Sequence, residues 1–210
     1  MGQIAPDSSF GRVLEALAAD DRYATFVDVG TWDGLGTTRC LVNGTRYRKT
    51  PVQIWSYEAS VTQYEVALQN WSSCPTFLHL VHGTLHREIA DITSLHDHPG
   101  IQRIRQSFGT GYSSWHIGER ESLVSAPLVD PPSSVDVIVL DGGEFTTKGD
   151  WDVLKTRNPR VVALDDTMVF KTHDIRNELL KSPEWKVVKD VPGERNGWAV
   201  FKRVDVFQDE

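Results

Sequence analysis

Short runs of β-branched and aromatic residues recur along the chain, with amphipathic stretches between them. Residues 25–29 (Thr-Phe-Val-Asp-Val), 53–57, 76–81, 135–140 and 160–164 are five such runs. Apolar residues return at helical spacing elsewhere: Val13, Leu14 and Leu17 within residues 10–19, and Ile175, Leu179 and Leu180 within residues 173–181. Residues 36–43, 61–71 and 151–155 read as further helices. This alternation predicts βαβ units around a parallel sheet. Residues 185–191 and 197–203 form two more strands, joined by Pro-Gly-Glu-Arg-Asn. A parallel crossover needs about a dozen residues or more, so this short turn makes the final pair antiparallel. Two equal βαβαβ halves, as in a dinucleotide-binding dehydrogenase, are not what the pattern gives.

The alternation weakens in the middle. Residues 85–92 and 101–108 read as short helices, and residues 109–132 as a long loop rich in Gly, Ser and Pro that also carries Tyr112, Trp115 and His116. A loop of that length inside a compact domain is more often functional than idle. The expected organisation is one domain over residues 1–210, with an insertion at about 85–132.

Composition adds limits. The chain has 210 residues, 40% hydrophobic and 24% charged, which excludes a disordered chain. Acidic residues exceed basic ones by 29 to 22, for a net charge of -7, whereas a protein relying on phosphate neutralisation is usually basic. No nucleic-acid partner is expected. Cys40 and Cys74 match neither a disulfide framework nor a zinc spacing and read as free thiols. Residues 1–7 lack the basic start and apolar run of a signal peptide, and no stretch is long enough to span a bilayer, so a cytosolic location is expected.

The turn after the first strand reads Asp28-Val-Gly-Thr-Trp-Asp-Gly-Leu-Gly-Thr-Thr38, with Gly30, Gly34 and Gly36 between a strand and a helix. Glycines there allow a sharp turn and a close ligand, and the helix start favours an anion or carboxylate. The spacing G-x-x-x-G-x-G differs from the G-x-G-x-x-G that admits a pyrophosphate. An ordinary tight βα turn is the alternative. Glu58 ends the second strand, 28 residues after Gly30, where a carboxylate accepts hydrogen bonds from ribose hydroxyls or stands solvated. Trp32 sits inside the turn, whereas the other tryptophans mostly read as packing residues.

The turn, Glu58 and the terminal hairpin together resemble a class I S-adenosylmethionine-dependent methyltransferase, over roughly residues 24–203. The resemblance implies an α/β, Rossmann-like seven-stranded sheet of order 3-2-1-4-5-7-6, its last strand antiparallel, with helices on both faces. It implies that S-adenosyl-L-methionine is the cofactor. Gly30 and its neighbours Asp28, Thr31, Trp32, Gly34, Gly36 and Thr37 would line the methionine part. Glu58 and Ala59 would hold the ribose, and His82, Gly83 and Thr84 would lie near the adenine.

Three acids end the next two strands: Asp141 the fourth, Asp165 and Asp166 the fifth. Ligands in open parallel sheets bind outside these ends. Adjacent strands are ~4.8 Å apart, so the three carboxylates converge and, unpaired, repel. A hard divalent cation, Mg²⁺ or Mn²⁺, resolves that conflict. The alternative makes Asp141 a general base or substrate anchor and has Asp165 or Asp166 cap the next helix. Asp141 with Asp-Asp 24 and 25 residues later resembles the divalent-metal-dependent O-methyltransferases, the sugar-modifying enzymes of antibiotic tailoring more than the catechol type. Those enzymes often carry a His or Asp shortly after the first metal acid, where this chain has Gly143-Glu144-Phe145. The Asp-Gly-Gly-Glu-Phe-Thr-Thr segment is also similar to small methyltransferases of glycan gene clusters, including those of large DNA viruses, for which the location would be host cytoplasm.

The resemblance implies methyl transfer to a sugar hydroxyl, of a glycan or a deoxysugar such as rhamnose, helped by a metal at Asp141, Asp165 and Asp166. Asp141, Glu144 and then His116 are the candidate bases. The loop 109–125 would cover a carbohydrate acceptor, with Tyr112 and Trp115 stacking on it and Arg120 or Glu121 bonding its hydroxyls. Alternatively, those aromatics pack the loop onto the body. A small non-sugar hydroxyl substrate, a nucleotide-dependent oxidoreductase and a silent methyltransferase-like binding protein stay open, as does a homodimer. His96-Asp97-His98 reads as a polar loop, and Arg46-Tyr-Arg-Lys49 as a solvated helix end.

Overall fold

The structure, a computed structural model, describes residues 4–204; residues 1–3 of the N-terminal stretch read above lie outside that range. The chain begins with α1 (Ser9–Ala19), whose N-cap Ser8 accepts from the Gly11 amide at 2.9 Å. Phe10, Leu14 and Ala18 return every four residues and are buried. Then follow β1 (Thr25–Val29), α2 (Thr37–Gly44), β2 (Gln53–Glu58), α3 (Val61–Asn70) and β3 (Leu78–His82). Next come α4 (Pro99–Phe108), α5 (Tyr112–Ser125), β4 (Val137–Leu140), α6 (Thr147–Leu154) and β5 (Val161–Asp165). The chain closes with α7 (Phe170–Lys181), β6 (Trp185–Val191) and β7 (Trp198–Arg203).

Among the described residues the strands form one seven-stranded sheet of order β3-β2-β1-β4-β5-β7-β6. Neighbours are parallel except that β7 runs antiparallel to both β5 and β6. This is the order that the resemblance to class I methyltransferases implied, and the final antiparallel pair is the one the short turn predicted. Side chains alternate across the pleat. Phe26, Ile54, Val137 and Val161 pack with α1 and α2, through Phe10, Leu14 and Leu41. Val27, Ile138 and Val162 pack with α6 and α7, through Trp151, Leu154, Ile175 and Leu179. A third, smaller cluster of Ile101, Ile104, Tyr112, Phe145 and Val169 joins α4 and α5 to the segments after β4 and β5. It holds a two-helix cap beside the carboxyl ends of the parallel strands.

Three expectations are corrected. Residues 85–92 form no helix; they run irregularly, with Thr84 bridging to Leu128 and the Ala90 amide donating to the Phe145 carbonyl. The expected loop 109–132 contains the fourteen-residue helix α5. Its sequence hid it: Ser113, Ser114 and Gly118 are poor helix formers, and only Tyr112 and Leu123 of the helix are buried. Tertiary contacts hold it instead. Arg87 donates to the Leu123 and Ala126 carbonyls, placing a cation at the helix C-terminus. Arg48 is also not a solvated helix end; its side chain is 2% exposed and donates to the Ala18 and Asp20 carbonyls.

Cys40 is buried and Cys74 exposed, both as free thiols. Among the described residues no helix is long and apolar enough to cross a membrane.

Asp28 is a buried joint between three elements. Its carboxylate accepts from Thr37 Oγ1 (2.8 Å) and Thr38 Oγ1 (2.6 Å) of α2 and from Ser56 Oγ (3.0 Å) of β2. The β1–β2 register pairs Asp28 with Ser56, which puts both side chains on one face. Burial pushes the carboxyl up to about 6, against those three hydroxyls.

The folded pKa therefore lies above the ordinary value of 3.8, and the ionisation cost is absent below about pH 4 and complete above about pH 6. Asp28→Asn, which does not ionise, should gain stability relative to the parent across that window, by up to about 3 kcal/mol in urea unfolding. A gap that stays constant from pH 4 to pH 6 would mean the carboxyl titrates alike in both states.

Candidate active site

The turn after β1 is shaped by contact with the segment after β4. Gly30 has φ +96°, and a Cβ there would lie 2.2 Å from the Asp141 carbonyl oxygen, so no other residue fits without displacing that strand end. The Gly30 and Thr31 amides both donate to the Tyr57 carbonyl. Trp32 follows with φ 52° and is 53% exposed. Its amide donates to Glu58 Oε2 at 2.7 Å, while the Ser60 amide donates to Oε1 at 2.8 Å. Burial raises the Glu58 carboxyl, against these amides. The acid is fixed at the tip of β2 with a lone pair on each oxygen left for a ligand.

A cavity of about 720 Å³ opens beside this turn, a size that suits a nucleoside-sized ligand. Gly30, Trp32, Thr37, Glu58, Ala59, Gly83, Thr84, Asp141, Glu144 and Asp166 all line it. Of the other expected site residues, Asp28 and Thr31 lie beneath the turn, bonded to buried hydroxyls. Gly34 lies against Trp71, whose indole N–H donates to its carbonyl. Gly36 is the N-cap of α2. These four hold the turn from behind rather than face the cavity. His116 also stands apart: its Nε2 donates to the Ala90 carbonyl at 3.0 Å and its ring packs edge-on against Phe145. It is not among the residues that line the cavity.

Asp141, Asp165 and Asp166 converge as expected, each offering a carboxylate oxygen within 4.8 Å of the others. Asp166 takes φ 58°, a left-handed conformation that turns the chain at the end of β5. What sits among them is not visible in residue spacing. Lys171, on the first turn of α7, places Nζ 2.9 Å from Asp141 Oδ1 and 2.8 Å from Asp166 Oδ2. Its backbone amide donates to Glu144 Oε1 at 2.8 Å. Arg195, in the β6–β7 turn at φ 52°, brings its guanidinium to 3.5 Å from Asp165 Oδ2.

These contacts set the ionisation of the corner. Burial disfavours the Lys171 ammonium, but Asp141, Asp166, Asp165 and Glu144 outweigh it and hold the amine well above its ordinary value. Burial, then the charges of Asp141 and Asp166, push Asp165 well up. Burial raises Asp141 against the pull of Lys171, while for Asp166 burial is overcome by Lys171 and the carboxyl is lowered. Burial raises Glu144 to about 7, with Lys171 opposing.

The donor set is one a hard cation favours, and Asp165 Oδ2 and Asp166 Oδ1 are buried without a hydrogen-bond partner among the described residues. Yet the space between Asp141 and Asp166 already holds an ammonium at hydrogen-bond distance. The residues present therefore fit Lys171, not the expected Mg²⁺ or Mn²⁺, because a divalent ion would have to expel that ammonium to reach both carboxylates.

The segment from Asp141 to Phe145 is pinned from α5. Glu119 accepts from the Glu144 amide (2.7 Å) and the Phe145 amide (2.8 Å). Its neighbours Arg120 and Glu121, expected to meet an acceptor, do not line the cavity, whereas Ser114, Trp115, Glu119 and Ser122 do. Tyr112 packs inward against Phe145 and accepts from Arg105, so it serves the cap's core rather than an acceptor. Below, His86 Nε2 lies 3.3 Å from Asp150 Oδ1, both side chains buried.

A second cluster joins His98, His173 and Asp174 on the outer side of α4 and α7. His98 Nδ1 accepts from the Gly100 amide, which places the ring proton on Nε2, 3.1 Å from Asp174 Oδ1. A ligating histidine instead donates from its second nitrogen, so this arrangement is a helix cap tied by a hydrogen bond.

Solved structures share this architecture. A putative caffeoyl-CoA O-methyltransferase from Staphylococcus aureus superposes with TM-score 0.58 at 12% identity, over 94% of this chain and 84% of that one. An O-methyltransferase from Bacillus cereus in complex with SAH gives 0.57 at 14%, over 93% and 80%. The O-methyltransferase TomG from Streptomyces achromogenes, involved in tomaymycin synthesis and in complex with SAM, gives 0.53 at 13%, over 93% and 79%. No protein-family model and no curated protein matches the sequence. At these identities the likeness establishes the fold: that of class I S-adenosylmethionine-dependent methyltransferases.

Glu119→Ala leaves two buried amides without an acceptor and should lower stability by about 1–3 kcal/mol in urea unfolding. An unchanged midpoint would show that water replaces the carboxylate at no cost.

Proposed function

We propose that the protein is an S-adenosylmethionine-dependent O-methyltransferase acting on a hydroxyl, with a sugar as acceptor. One observation carries this reading. Glu58, fixed by two amides, and the Glu144–Lys171–Asp141 group line the same cavity, on either side of Gly30. The first suits the ribose of a nucleoside donor. The second can take a proton and hold an oxygen that is gaining negative charge.

S-adenosylmethionine, held by Glu58 and the Gly30 turn, would supply a methyl group on a sulfonium, and the electrons of the broken C–S bond would remain on sulfur as the new O–C bond formed. Glu144 takes the acceptor's proton. Its carboxyl at about 7 is matched to neutral pH, and with Oε1 bonded to the Lys171 amide, Oε2 is left for the transfer. Lys171 stays an ammonium and so serves as a charge, not a base. Asp141, tethered by Lys171, is the acceptor-orienting carboxylate. Alignment of the reacting groups supplies much of the rest, since well-placed groups reach effective molarities of ~10⁵ M or more.

Trp115 and Ser114, Glu119 and Ser122 of α5 line the far wall, an aromatic face beside polar groups that fits a carbohydrate ring and its hydroxyls. In this reading α4 and α5, within residues 85–132, are the insertion that covers the acceptor. A phenolic acceptor is the second reading, favoured by the caffeoyl-CoA name carried by one structural neighbour. Incubation with methyl donor and parallel panels of glycosides and phenols, read by mass, separates them. Methylated glycosides support the sugar, methylated phenols alone support the second reading, and no product with donor bound would leave a binding protein.

Glu144→Gln should lower kcat by about 10²–10⁴ while S-adenosylhomocysteine still binds. Asp141→Asn should likewise abolish transfer and leave that binding largely intact; equal loss of both would remove Asp141 from the chemistry. Because the ionised carboxylate is the active form, kcat/KM should climb as pH rises through about 7 and then level off, and the climb should vanish in Glu144→Gln. A profile flat from pH 6 to pH 8 in the parent would contradict Glu144 as base.

A further inference from the structure

Lys171 is an expensive residue where it stands. It lies on the first turn of α7, where the helix dipole disfavours a cation. Its side chain is only 12% exposed. A buried charge persists only if it is paired, and here the pairing is complete: Nζ bridges Asp141 and Asp166 at 2.9 and 2.8 Å, while the backbone amide of the same residue is capped by Glu144. The carboxylates hold the lysine in, and the lysine lets carboxylates from β4 and β5 share one corner. Arg195 approaches the third acid, Asp165, from the hairpin turn.

We propose that the Lys171 ammonium takes the place a divalent cation would need among Asp141, Asp165 and Asp166, so that this protein binds no metal there and transfers methyl groups without one. Mg²⁺ needs oxygens at about 2.0–2.1 Å in near-octahedral geometry. Asp141 Oδ1 and Asp166 Oδ2 are instead spaced around a nitrogen at hydrogen-bond distance. Lys171 also lines the cavity, so its charge faces the region where the acceptor's oxygen would lose its proton. There it favours the deprotonated oxygen electrostatically, as fixed positive groups do at developing anions. The catalytic half of the inference rests on the hydroxyl-methylation reading; the metal-binding half does not.

The test is Mn²⁺ titration followed by electron paramagnetic resonance, on the whole protein and on Lys171→Met. The parent should bind no Mn²⁺ up to about 0.5 mM, and its methyl transfer should survive EDTA. Lys171→Met, which removes the ammonium and leaves the acids, should bind one Mn²⁺ per chain at least about tenfold more tightly than the parent. Lys171→Arg, which keeps the charge, should resemble the parent. Stoichiometric Mn²⁺ on the parent, or transfer lost in EDTA and restored by Mn²⁺, overturns the proposal. So does a folded Lys171→Met that gains no affinity. If that variant does not fold, the parent's titration and chelator response decide. Failure of the parent to bind S-adenosylhomocysteine would instead refute the methyltransferase reading and leave the Mn²⁺ result standing.

Discussion

One buried ammonium, on Lys171, makes the acidic corner of this fold tenable. Parallel strands that end side by side bring their terminal residues together, and here those residues are acids. Asp141 and Asp166 meet at the same nitrogen, and Glu144 is tied to the backbone of the same lysine. Remove the cation and like charges face one another in a poorly solvated pocket, where each raises the others' affinity for protons. The consequences run outward from that contact. Asp141 is held where its carbonyl abuts Gly30, so the acidic corner and the glycine turn are parts of one packed unit.

A second set of constraints works from behind. Asp28 gathers two hydroxyls from α2 and one from β2, which fixes the helix start against the strands. Glu119 reaches from α5 to the Glu144 and Phe145 amides and ties the cap to the segment after β4. These carboxylates make almost all of their contacts to the protein itself. They act by placing other groups, and their burial makes them sensitive to any change that breaks a partner.

Much of the scaffold was legible in the sequence because it follows from period and punctuation. The β-branched runs gave the strands to within a few residues, and the short turn at Pro192–Asn196 fixed the antiparallel pair. Gly30, Glu58 and the three aspartates could be placed at strand ends from their positions alone. The rest depended on tertiary contact. α5 has few buried residues and a glycine at its centre, so periodicity could not reveal it. Lys171 is six residues from Asp165 and thirty from Asp141, and nothing in that spacing says its side chain turns back to both. Arg195 sits in a turn that read only as a hairpin connection. Asp28, Thr31, Gly34 and Gly36 share a motif with Gly30, and that motif does not show that the pleat and the turn direct them into the protein.

In the proposed function a donor nucleoside would lie across the tips of β1 and β2, with its reactive end beside Glu144 and Lys171. A crystal structure with S-adenosylhomocysteine tests it most directly. Ribose hydroxyls bonded to Glu58, the homocysteine chain against Gly30, and the sulfur turned toward the Asp141 corner are the expected result. Density for the ligand elsewhere on the protein, or a ribose beyond reach of Glu58, would contradict it.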